Sequence, residues 1–474
     1  MTSGNWDDVI RGERWRSTRT IWVEDDVEYS WAELARLADA IEDTVREQET
    51  ARVVRILSDA KLGCFAGQLA AWRAGCVAVT DDGRLGPAEL ERVRPDLTVT
   101  VSTGPLPRIE GVTQTPAGLP ADRLPDEVVA VNFTSGTSGS RKAVAVMRGN
   151  LLALWGSRAL DTPTPGAVSE GAAAGSFATP TYDGWWFDTW RTVAAGGTVA
   201  CLPGVNDDVF AWPELARTYG ITRVLLPAAV VATIVDAVPS CLADIPTVFS
   251  GGEAFRVSTY RQARGAGLTN RFVNLYGPTE ATFASHGYVL PAELAGDAIP
   301  IGTPLDGSAH RLRQSGDAHE LVITGTNVCL GYVEHGIITR RFVDDDGRPY
   351  YPTGDVVRAD DDGNLVFAGR LDGQIKVNGM RVDAAAVERR AASLPGVLDC
   401  RVVQSELHTV AFVRTDAGSR ADEDVRVRVE QAVADFSSAI AVQIVERFPL
   451  KAGGKVDTAS LMDGQVLTEN GVRT

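Results

Sequence analysis

Short apolar runs alternate with amphipathic stretches through most of the first 370 residues. Two stretches show this alternation best. The first has strand patterns at 51–57 and 76–80 and a helix pattern at 61–75. The second has strand patterns at 221–227 and 247–250 and helix patterns at 209–220 and 230–238. Buried strands that alternate with helices are typical of layered α/β sheets. The pattern therefore predicts an α/β fold for most of the chain, with a Pro-rich surface connection at 104–127.

The pattern changes near Gly369. Beyond it we predict a second set of elements: helices at 383–394 and 423–436, and strands at 397–405, 408–414 and 441–445. About a hundred residues are enough for a separate small α+β domain. The segment 369–379 is polar and rich in glycine, which suits a hinge. We therefore predict a large N-terminal domain over 1–371 and a small mobile C-terminal domain over 372–474.

Composition and charge narrow the class of protein. The chain has 474 residues, of which 44% are hydrophobic and 23% charged, as is ordinary for a globular enzyme. Its net charge of -16 argues against a nucleic-acid partner, because such binding gains from Lys and Arg. Six cysteines and five histidines lie scattered. Neither a zinc site nor a Cys/His nucleophile is therefore indicated.

The sequence also gives an expectation about location. Residues 1–17 lack the apolar core of a signal peptide, and we find no apolar stretch long enough to span a bilayer. Widely separated thiols fit a reducing compartment. We therefore expect a cytoplasmic enzyme without a membrane partner.

The loop from Thr134 to Lys142, between two apolar runs, combines groups that bind a polyphosphate. Its glycines allow backbone N–H groups to converge on an anion, its Ser and Thr residues add hydroxyl donors, and Arg141 and Lys142 add charge. The loop departs from the common G-x-x-x-x-G-K-[ST] pattern, since position 143 is Ala. By itself, such a segment is more often an ordinary loop.

Four further segments carry candidate chemistry. They are NLYGPTEAT (274–282), YPTGDVVR (351–358), GRLDGQIK (369–376) and PLKAGGKVD (449–457). The first follows an apolar strand, so its Tyr276 and Glu280 should emerge at a strand end, where a flat ring suits a base and a carboxylate suits magnesium. The carboxylate of Asp355 can accept hydrogen bonds from both ribose hydroxyls. Each segment alone is also compatible with a plain turn.

Together, in this order and spacing from Glu28 to Asp457, these segments resemble the adenylate-forming family. That family contains the amino-acid adenylation domains of nonribosomal peptide synthetases, acyl-CoA ligases and luciferases. The resemblance implies a large layered α/β domain with a distorted barrel region and a small mobile lid. It also implies ATP and Mg²⁺ as cofactors.

The resemblance assigns roles to individual residues. The phosphates of ATP would be held by Thr134, Ser135, Gly136, Thr137, Ser138, Gly139 and Lys142. Asn274 and Tyr276 would contact adenine, Thr279 the phosphate and Glu280 the magnesium ion. Asp355 and Arg370 would bind the ribose, and Gly277 also belongs to the nucleotide site. Asp372 would be the hinge, and Lys455, with Lys142 and Glu280, would be catalytic. A cation that touches both carboxylate and α-phosphate lowers their repulsion during in-line attack.

Three departures from the family pattern stand out. Arg141 and Ala143 replace the usual Pro and Gly, Gly453 replaces an Asn, and 384–386 are three alanines instead of Leu-Gly-Glu. None of these changes removes a predicted catalytic group. The first pair alters the expected geometry of the phosphate loop.

The segment 177–190 indicates which acid is activated. Amino-acid-activating members of the family have Phe-Asp here, whose Asp pairs with the substrate ammonium, and this chain has Tyr182-Asp183. The flanking Trp185, Trp186 and Phe187 argue against full exposure of Asp183. A carboxylate in an apolar pocket demands a cation, so the pattern favours an amine-bearing substrate.

Alignment with the family gives the lining of the substrate pocket. Its residues are Asp183, Gly184, Phe187, Val224, Phe249, Gly251, Leu275, Phe283, Ala284 and Lys455. Apart from Asp183 and Lys455 the lining is apolar, which predicts a neutral, apolar amino acid of small or medium size. The two small residues Gly184 and Ala284 leave an aromatic substrate open as an alternative.

The predicted reaction is that of an AMP-forming ligase. It would form aminoacyl-AMP and pyrophosphate, and then load the phosphopantetheine thiol of a separate carrier protein, since only seventeen residues follow Asp457. A small activator protein is a candidate further partner. The rival predictions are a CoA or acyl-AMP ligase for a carboxylic acid without an amine, a non-catalytic nucleotide-binding scaffold and a kinase-like ATPase.

Overall fold

The structure is a computed structural model. It describes residues 5–102, 109–114, 124–134, 141–158, 171–294, 296, 298–315, 318–371, 374–377, 380–404, 409–415, 421–434, 436, 440–451, 454 and 456–462.

Strands dominate the described part of the chain. In chain order they are Thr20–Glu24 (β1), Val27–Ser30 (β2), Val53–Leu57 (β3), Val77–Asp81 (β4), Leu97–Val101 (β5), Ile109–Gln114 (β6), Val128–Phe133 (β7), Ala143–Met147 (β8), Ala173–Ser176 (β9), Thr198–Cys201 (β10), Ile221–Pro227 (β11), Thr247–Gly251 (β12), Arg271–Tyr276 (β13), His286–Val289 (β14), Thr303–Pro304 (β15), Ser308–Ser315 (β16), Ala318–Gly325 (β17), Gly331–Glu334 (β18), Ile337–Arg341 (β19), Tyr350–Ala359 (β20), Leu365–Arg370 (β21), Gln374–Val377 (β22), Met380–Asp383 (β23), Val397–Gln404 (β24), Thr409–Thr415 (β25) and Ile440–Ile444 (β26).

Helices connect many of these strands. The α-helices are Trp6–Arg11 (α1), Trp31–Arg46 (α2), Lys61–Arg73 (α3), Pro87–Val93 (α4), Arg148–Gly156 (α5), Arg191–Ala194 (α6), Val205–Asp208 (α7), Trp212–Tyr219 (α8), Ala228–Ala237 (α9), Val257–Gly265 (α10), Ala384–Ala392 (α11) and Ala421–Ala434 (α12). Short 3₁₀ turns lie at Glu13–Arg16, Val209–Ala211, Pro239–Leu242 and Thr279–Ala281, and a π-helical turn at Trp186–Trp190.

Two large sheets form the N-terminal domain. One runs β15-β14-β13-β12-β11-β9-β10-β1-β2, and its strands from β13 to β1 are parallel. The other runs β19-β18-β8-β7-β4-β3-β5-β6. A four-stranded antiparallel sheet runs β16-β17-β20-β21. The predicted α/β class is confirmed.

Helix α3 joins the two large sheets. It is buried on all sides, as expected for a helix without a polar face. The ring of Phe65 stacks on Trp190 at 4.5 Å, on the side of the nine-stranded sheet. On the other side Gly67 faces Ile56 of β3, and a Cβ at position 67 would collide with that side chain. This close approach explains a glycine inside a helix.

Most elements predicted from the two α/β units are confirmed. The predicted strand and helix patterns correspond to β3, α3, β4, α8, β11, α9 and β12. The surface connection expected at 104–127 is wrong in part, because Ile109–Gln114 forms β6, the antiparallel edge partner of β5. Most side chains of β6 are exposed, and its sequence has no run of apolar residues of the kind that predicts a buried strand.

The smaller C-terminal domain contains the sheet β24-β25-β26 with α11 and α12 packed on it. Its alternation of strands and helices confirms the predicted α+β character. The boundary predicted between 371 and 372 stays a prediction, because residues 372 and 373 lie outside the described residues.

Candidate active site

The predicted site residues gather at the carboxyl ends of three neighbouring parallel strands. Val224 lies on β11, Phe249 and Gly251 on β12, and Asn274 and Leu275 on β13. Strands β11, β12 and β13 are adjacent and parallel, with Val224 beside Val248 and Phe249 beside Val273. This edge of an open parallel sheet is where α/β proteins form ligand sites.

Asp355, the predicted ribose acceptor, is held by two other predicted nucleotide residues. The Tyr276 hydroxyl donates to its Oδ2 at 2.5 Å, and Arg370 Nη1 donates to its Oδ1 at 2.8 Å. The pairing of β20 with β21 sets Asp355 directly opposite Arg370. Burial and the charge of Asp355 raise the pKa of Tyr276 well above its ordinary value, so the phenol remains a donor.

Asn274, predicted to contact adenine, is buried next to this group. Its Nδ2 donates to the carbonyl of Pro300 at 2.8 Å, which orients the amide at the end of β13. Gly277 is the next residue after Tyr276, and a Cβ on Gly277 would lie 2.6 Å from the carbonyl oxygen of Phe283. The backbone can fold back on itself at this point only because position 277 has no side chain.

Glu280, the predicted magnesium ligand, is buried on the 3₁₀ turn after β13. The Tyr332 hydroxyl donates to its Oε1 at 2.6 Å, and Tyr351 also bonds this carboxylate. Burial is the main cause that raises the pKa of Tyr332, with the charge of Glu280 second. Both tyrosines therefore stay protonated and orient the Glu280 carboxylate without removing its negative charge.

The residues fit a magnesium ion that is held mainly by the substrate. Among the described residues there is no group of three or more His, Cys, Asp and Glu side chains that could hold a metal alone. Mg²⁺ commonly binds through one or two carboxylates, substrate phosphates and waters. Glu280, as one buried carboxylate beside the phosphate loop, matches that requirement.

The predicted phosphate loop, Thr134 to Lys142, connects two antiparallel strands, β7 and β8. At its base the Thr134 N–H donates to the carbonyl of Lys142 at 2.9 Å, and the Lys142 N–H donates to Thr134 Oγ1 at 3.2 Å. Lys142 Nζ lies 4.9 Å from the centre of the Tyr332 ring, a cation–π distance. Ser135, Gly136, Thr137, Ser138 and Gly139 lie outside the described residues.

A π-helical turn at Trp186–Trp190 follows the predicted amine anchor Asp183. The tryptophans at its two ends face the core, where the Nε1 atoms of Trp190 and of Trp185, directly before the turn, both donate to Gln68 Oε1 at 2.7 and 2.8 Å. Phe187 points to the strand ends instead. Extra residues in a helical turn commonly occur at functional sites. Asp183 is 6% exposed, as the flanking aromatic residues predicted.

Aromatic rings form one wall beside Asp183. The Phe187 ring lies 5.0 Å from Phe249 and 5.6 Å from Phe283, and Tyr182 meets Phe283 edge-on at 6.1 Å. The remaining predicted lining residues are buried with them: Gly184, Val224, Gly251, Leu275 and Ala284. The rings narrow the space next to a buried carboxylate.

Phe283 is held in a strained conformation. Thr282 and Phe283 have φ values of 54° and 74°, in the left-handed region that side chains other than glycine rarely adopt. The Thr282 hydroxyl donates to the carbonyl of Asn327 at 2.7 Å, which fixes the turn. The strain aims the Phe283 ring at Phe187.

The loop that precedes the predicted catalytic lysine contacts the large domain. A Cβ on Gly454 would lie 2.8 Å from Pro227 and 2.9 Å from Val230, at the end of β11 and the start of α9. Leu450 packs on the same apolar cluster of the large domain. Lys455 and the predicted hinge Asp372 lie outside the described residues, so their roles stay predictions.

Comparison with known proteins gives the family. A model of the AMP-binding enzyme family matches residues 94–333. The chain is 31% identical to CymA, a probable non-canonical nonribosomal peptide synthetase of Salinispora arenicola, over 74% of this chain and 5% of CymA. It is 28% identical to the L-allo-isoleucine:holo-[CmaA peptidyl-carrier protein] ligase of Pseudomonas savastanoi, over 72% of this chain and 59% of that ligase. The chain belongs to the AMP-binding enzyme family.

A solved structure agrees with this assignment at the level of fold. Klebsiella oxytoca NpsA, in complex with 3-hydroxyanthranilyl-AMSN, superposes with a TM-score of 0.78 at 20% identity and covers 97% of this chain and 99% of that one. Membership of the AMP-binding family confirms the predicted enzyme class, an ATP-dependent AMP-forming ligase. The chain spans less than two-thirds of the length of these two sequence relatives.

Sequence reasoning missed two tyrosines next to the predicted magnesium ligand. Tyr351 begins the segment 351–358 and Tyr332 lies on β18, but their partner Glu280 is 52 or more residues away along the chain. The available signal was the tyrosine that begins the segment 351–358.

Within the described residues no helix is long and apolar enough to cross a membrane.

Proposed function

We propose that this chain activates a neutral, apolar amino acid of small to medium size. ATP would be converted to pyrophosphate as the amino acid becomes aminoacyl-AMP. The acyl group would then pass to the phosphopantetheine thiol of a separate carrier protein. The observation that carries the proposal is a buried carboxylate, Asp183, beside a wall of aromatic rings.

Asp183 defines the recognised end of the substrate. A carboxylate in apolar surroundings gains most from a cation that replaces the water it has lost. The α-ammonium of an amino acid supplies that cation at a fixed distance from its own carboxylate. An acid without an amine would leave Asp183 without this partner, which disfavours the rival acyl-CoA and acyl-AMP ligase activities.

The aromatic wall supports the proposed size and polarity. Phe187 contacts both Phe249 and Phe283, so the three rings would fill the part of the pocket that a large ring would need. Their apolar surfaces would leave a charged side chain without a partner. The relative from Pseudomonas savastanoi, whose name gives L-allo-isoleucine as its substrate, is consistent with a branched aliphatic side chain.

The nucleotide groups suggest how the first step proceeds. Tyr276 and Asp355 would bind the base and ribose, and Lys142 would approach the phosphates. Magnesium bound through Glu280 would neutralise phosphate charge. The substrate carboxylate oxygen attacks the α-phosphorus as the bond to pyrophosphate breaks, and Lys455 lowers the repulsion between the two anions.

In the second step the carrier thiol loses its proton to solvent, its sulfur attacks the acyl carbon, and AMP leaves. The proposed carrier partner has support from the name of the Pseudomonas savastanoi relative, which acts on a peptidyl-carrier protein. A small activator protein stays a candidate further partner.

Exchange of labelled pyrophosphate into ATP tests the proposal. The chain would be incubated with Mg²⁺, ATP and each of a panel of amino acids of graded size and charge. We expect the highest kcat/KM for a neutral aliphatic amino acid. A charged amino acid as the best substrate, or exchange with none, would contradict the proposal.

A further inference from the structure

A buried group of ionic contacts joins the two domains. Arg256, directly before α10 of the large domain, forms an ion pair with Asp399 of β24. Its Nη2 donates to the carbonyl of Cys400 at 2.8 Å and lies 3.6 Å from Glu388 Oε2 on α11. Arg256 thus fastens a strand and a helix of the small domain to the large one.

The small domain contributes an arginine in return. Arg401 Nη1 lies 3.4 Å from Asp399 Oδ1, and Arg401 Nη2 lies 3.8 Å from Glu253 Oε2 of the large domain. We call Glu253, Arg256, Glu388, Asp399 and Arg401 the interdomain cluster. The Arg256 and Asp399 side chains are 14% and 8% exposed, so water screens the pair little.

Two contacts outside the cluster fix the same arrangement. The Ser258 hydroxyl donates to the carbonyl of Leu398 at 2.9 Å. Arg414 on β25 lies 3.5 Å from Asp236, near the end of α9. The other end of α9 is the place where Gly454 packs against Val230. One docked position of the small domain therefore satisfies the cluster and brings Leu450 and Gly454 to the edge of the site.

The cluster is also close in sequence to the proposed amino-acid pocket. Phe249 and Gly251 line that pocket on β12, and Glu253 and Arg256 follow on the connection to α10. A movement of this connection would affect the pocket wall and the docking surface together.

We propose that Arg256 is a positioning residue for adenylation. It holds the small domain in the docked position, in which the segment before Lys455 contacts Pro227 and Val230. This inference rests on the proposed function, because it assumes that Lys455 acts in the first step. Loss of Arg256 should therefore slow formation of aminoacyl-AMP but leave the later transfer to the carrier thiol largely intact.

The test compares the two steps in full-length variants. Arg256→Gln and Asp399→Asn each remove one side of the pair, and the conservative variant Arg256→Lys keeps the positive charge that faces Asp399 and Glu388. Arg217→Gln is the matched control, because Arg217 is 64% exposed and pairs with Asp244 at 2.7 Å within the large domain. Thermal unfolding identifies any variant that fails to fold.

For folded Arg256→Gln we expect the kcat of pyrophosphate exchange to fall at least about tenfold, since removing one partner of a buried ion pair is strongly unfavourable. Transfer from preformed aminoacyl-AMP to the carrier should change by less than about twofold. Arg256→Lys, which keeps the charge, should retain much of the kcat that Arg256→Gln loses. Equal losses in both steps, or unchanged exchange, would overturn the inference.

A measurement that does not depend on enzymatic activity separates this inference from the proposed function. Small-angle scattering should show a larger radius of gyration for Arg256→Gln than for the wild type and Arg217→Gln. If the wild type exchanges pyrophosphate with no amino acid, the proposed function fails while this measurement still tests docking. An unchanged radius of gyration in Arg256→Gln would overturn the docking role.

Discussion

The amino-acid pocket and the interdomain cluster both bury carboxylates, but they surround them differently. Asp183 is flanked by aromatic residues, with Phe187 and Tyr182 on the same wall. Asp399 lies between the guanidinium groups of Arg256 and Arg401. In the proposed function the first setting receives the ammonium group of the substrate, whereas in the second the acid pairs with arginines of the chain itself. A buried acid can therefore belong to a proposed binding pocket or to an ionic contact between domains.

Removing the pocket carboxylate should have the largest effect. In Asp183→Ala the substrate ammonium loses its buried partner, so we expect kcat/KM for the best amino acid to fall about 100- to 1,000-fold. Pyrophosphate exchange measures this. Asp188→Asn is the matched control, because Asp188 is buried in the same segment but accepts from the N–H groups of Phe177 and Ala178. A similar loss in the control would contradict a specific role for Asp183.

Opening the aromatic wall should change specificity. Phe249→Ala removes the ring that lies 5.0 Å from Phe187, so larger side chains should gain space. We expect the ratio of kcat/KM values for a large and a small neutral amino acid to rise about tenfold. Phe255→Ala is the control, since Phe255 packs on Phe272 in a different apolar cluster. An unchanged ratio would place Phe249 outside the pocket.

The nucleotide side should respond more weakly to loss of one hydroxyl. Tyr332→Phe keeps the ring under Lys142 but removes the hydrogen bond to Glu280. Because a hydrogen bond to a charged group contributes about 1.5–3 kcal/mol, we expect about tenfold weaker apparent affinity for Mg²⁺. Exchange rates over a Mg²⁺ titration measure it. Tyr219→Phe, which removes a distant hydroxyl bonded to Glu28, should leave the titration unchanged.

The smallest effect concerns pH and the interdomain cluster. Burial raises the pKa of Glu388 from 4.5 to about 7, although Arg256 lowers it. The docked form therefore holds a proton that an exposed Glu388 would release, and docking should weaken as pH rises from about 4.5 to about 7. The facing charged groups are Glu253, Arg256, Arg389, Asp399 and Arg401.

Glu388→Gln should remove this pH dependence. Glu388 also accepts a hydrogen bond from the Val402 N–H within the small domain, so only part of the shift depends on docking. We therefore expect a change of about 1 kcal/mol in docking free energy across that range. The radius of gyration between pH 5 and 8 would measure it in the wild type and the variant. A wild type that docks more tightly as pH rises would contradict the assigned sign.

Patterns local in sequence predicted what local forces determine. Apolar runs located β3, β11 and β12, and the aromatic neighbours of Asp183 predicted its burial. The edge strand β6 was missed because its exposed side chains leave no apolar signal. The contact of Tyr332 with Glu280, and that of Arg256 with Asp399, join residues 52 and 143 positions apart. Such pairings depend on the packing of whole sheets and domains.

The most direct test of the account is amine dependence at Asp183. Pyrophosphate exchange would be measured for the best amino acid and for the same acid without its α-amine, in the wild type and in Asp183→Ala. We predict a strong preference for the amino acid in the wild type, and loss of most of that preference in the variant. Equal activity of the two acids in the wild type, or an undiminished preference in Asp183→Ala, would contradict it.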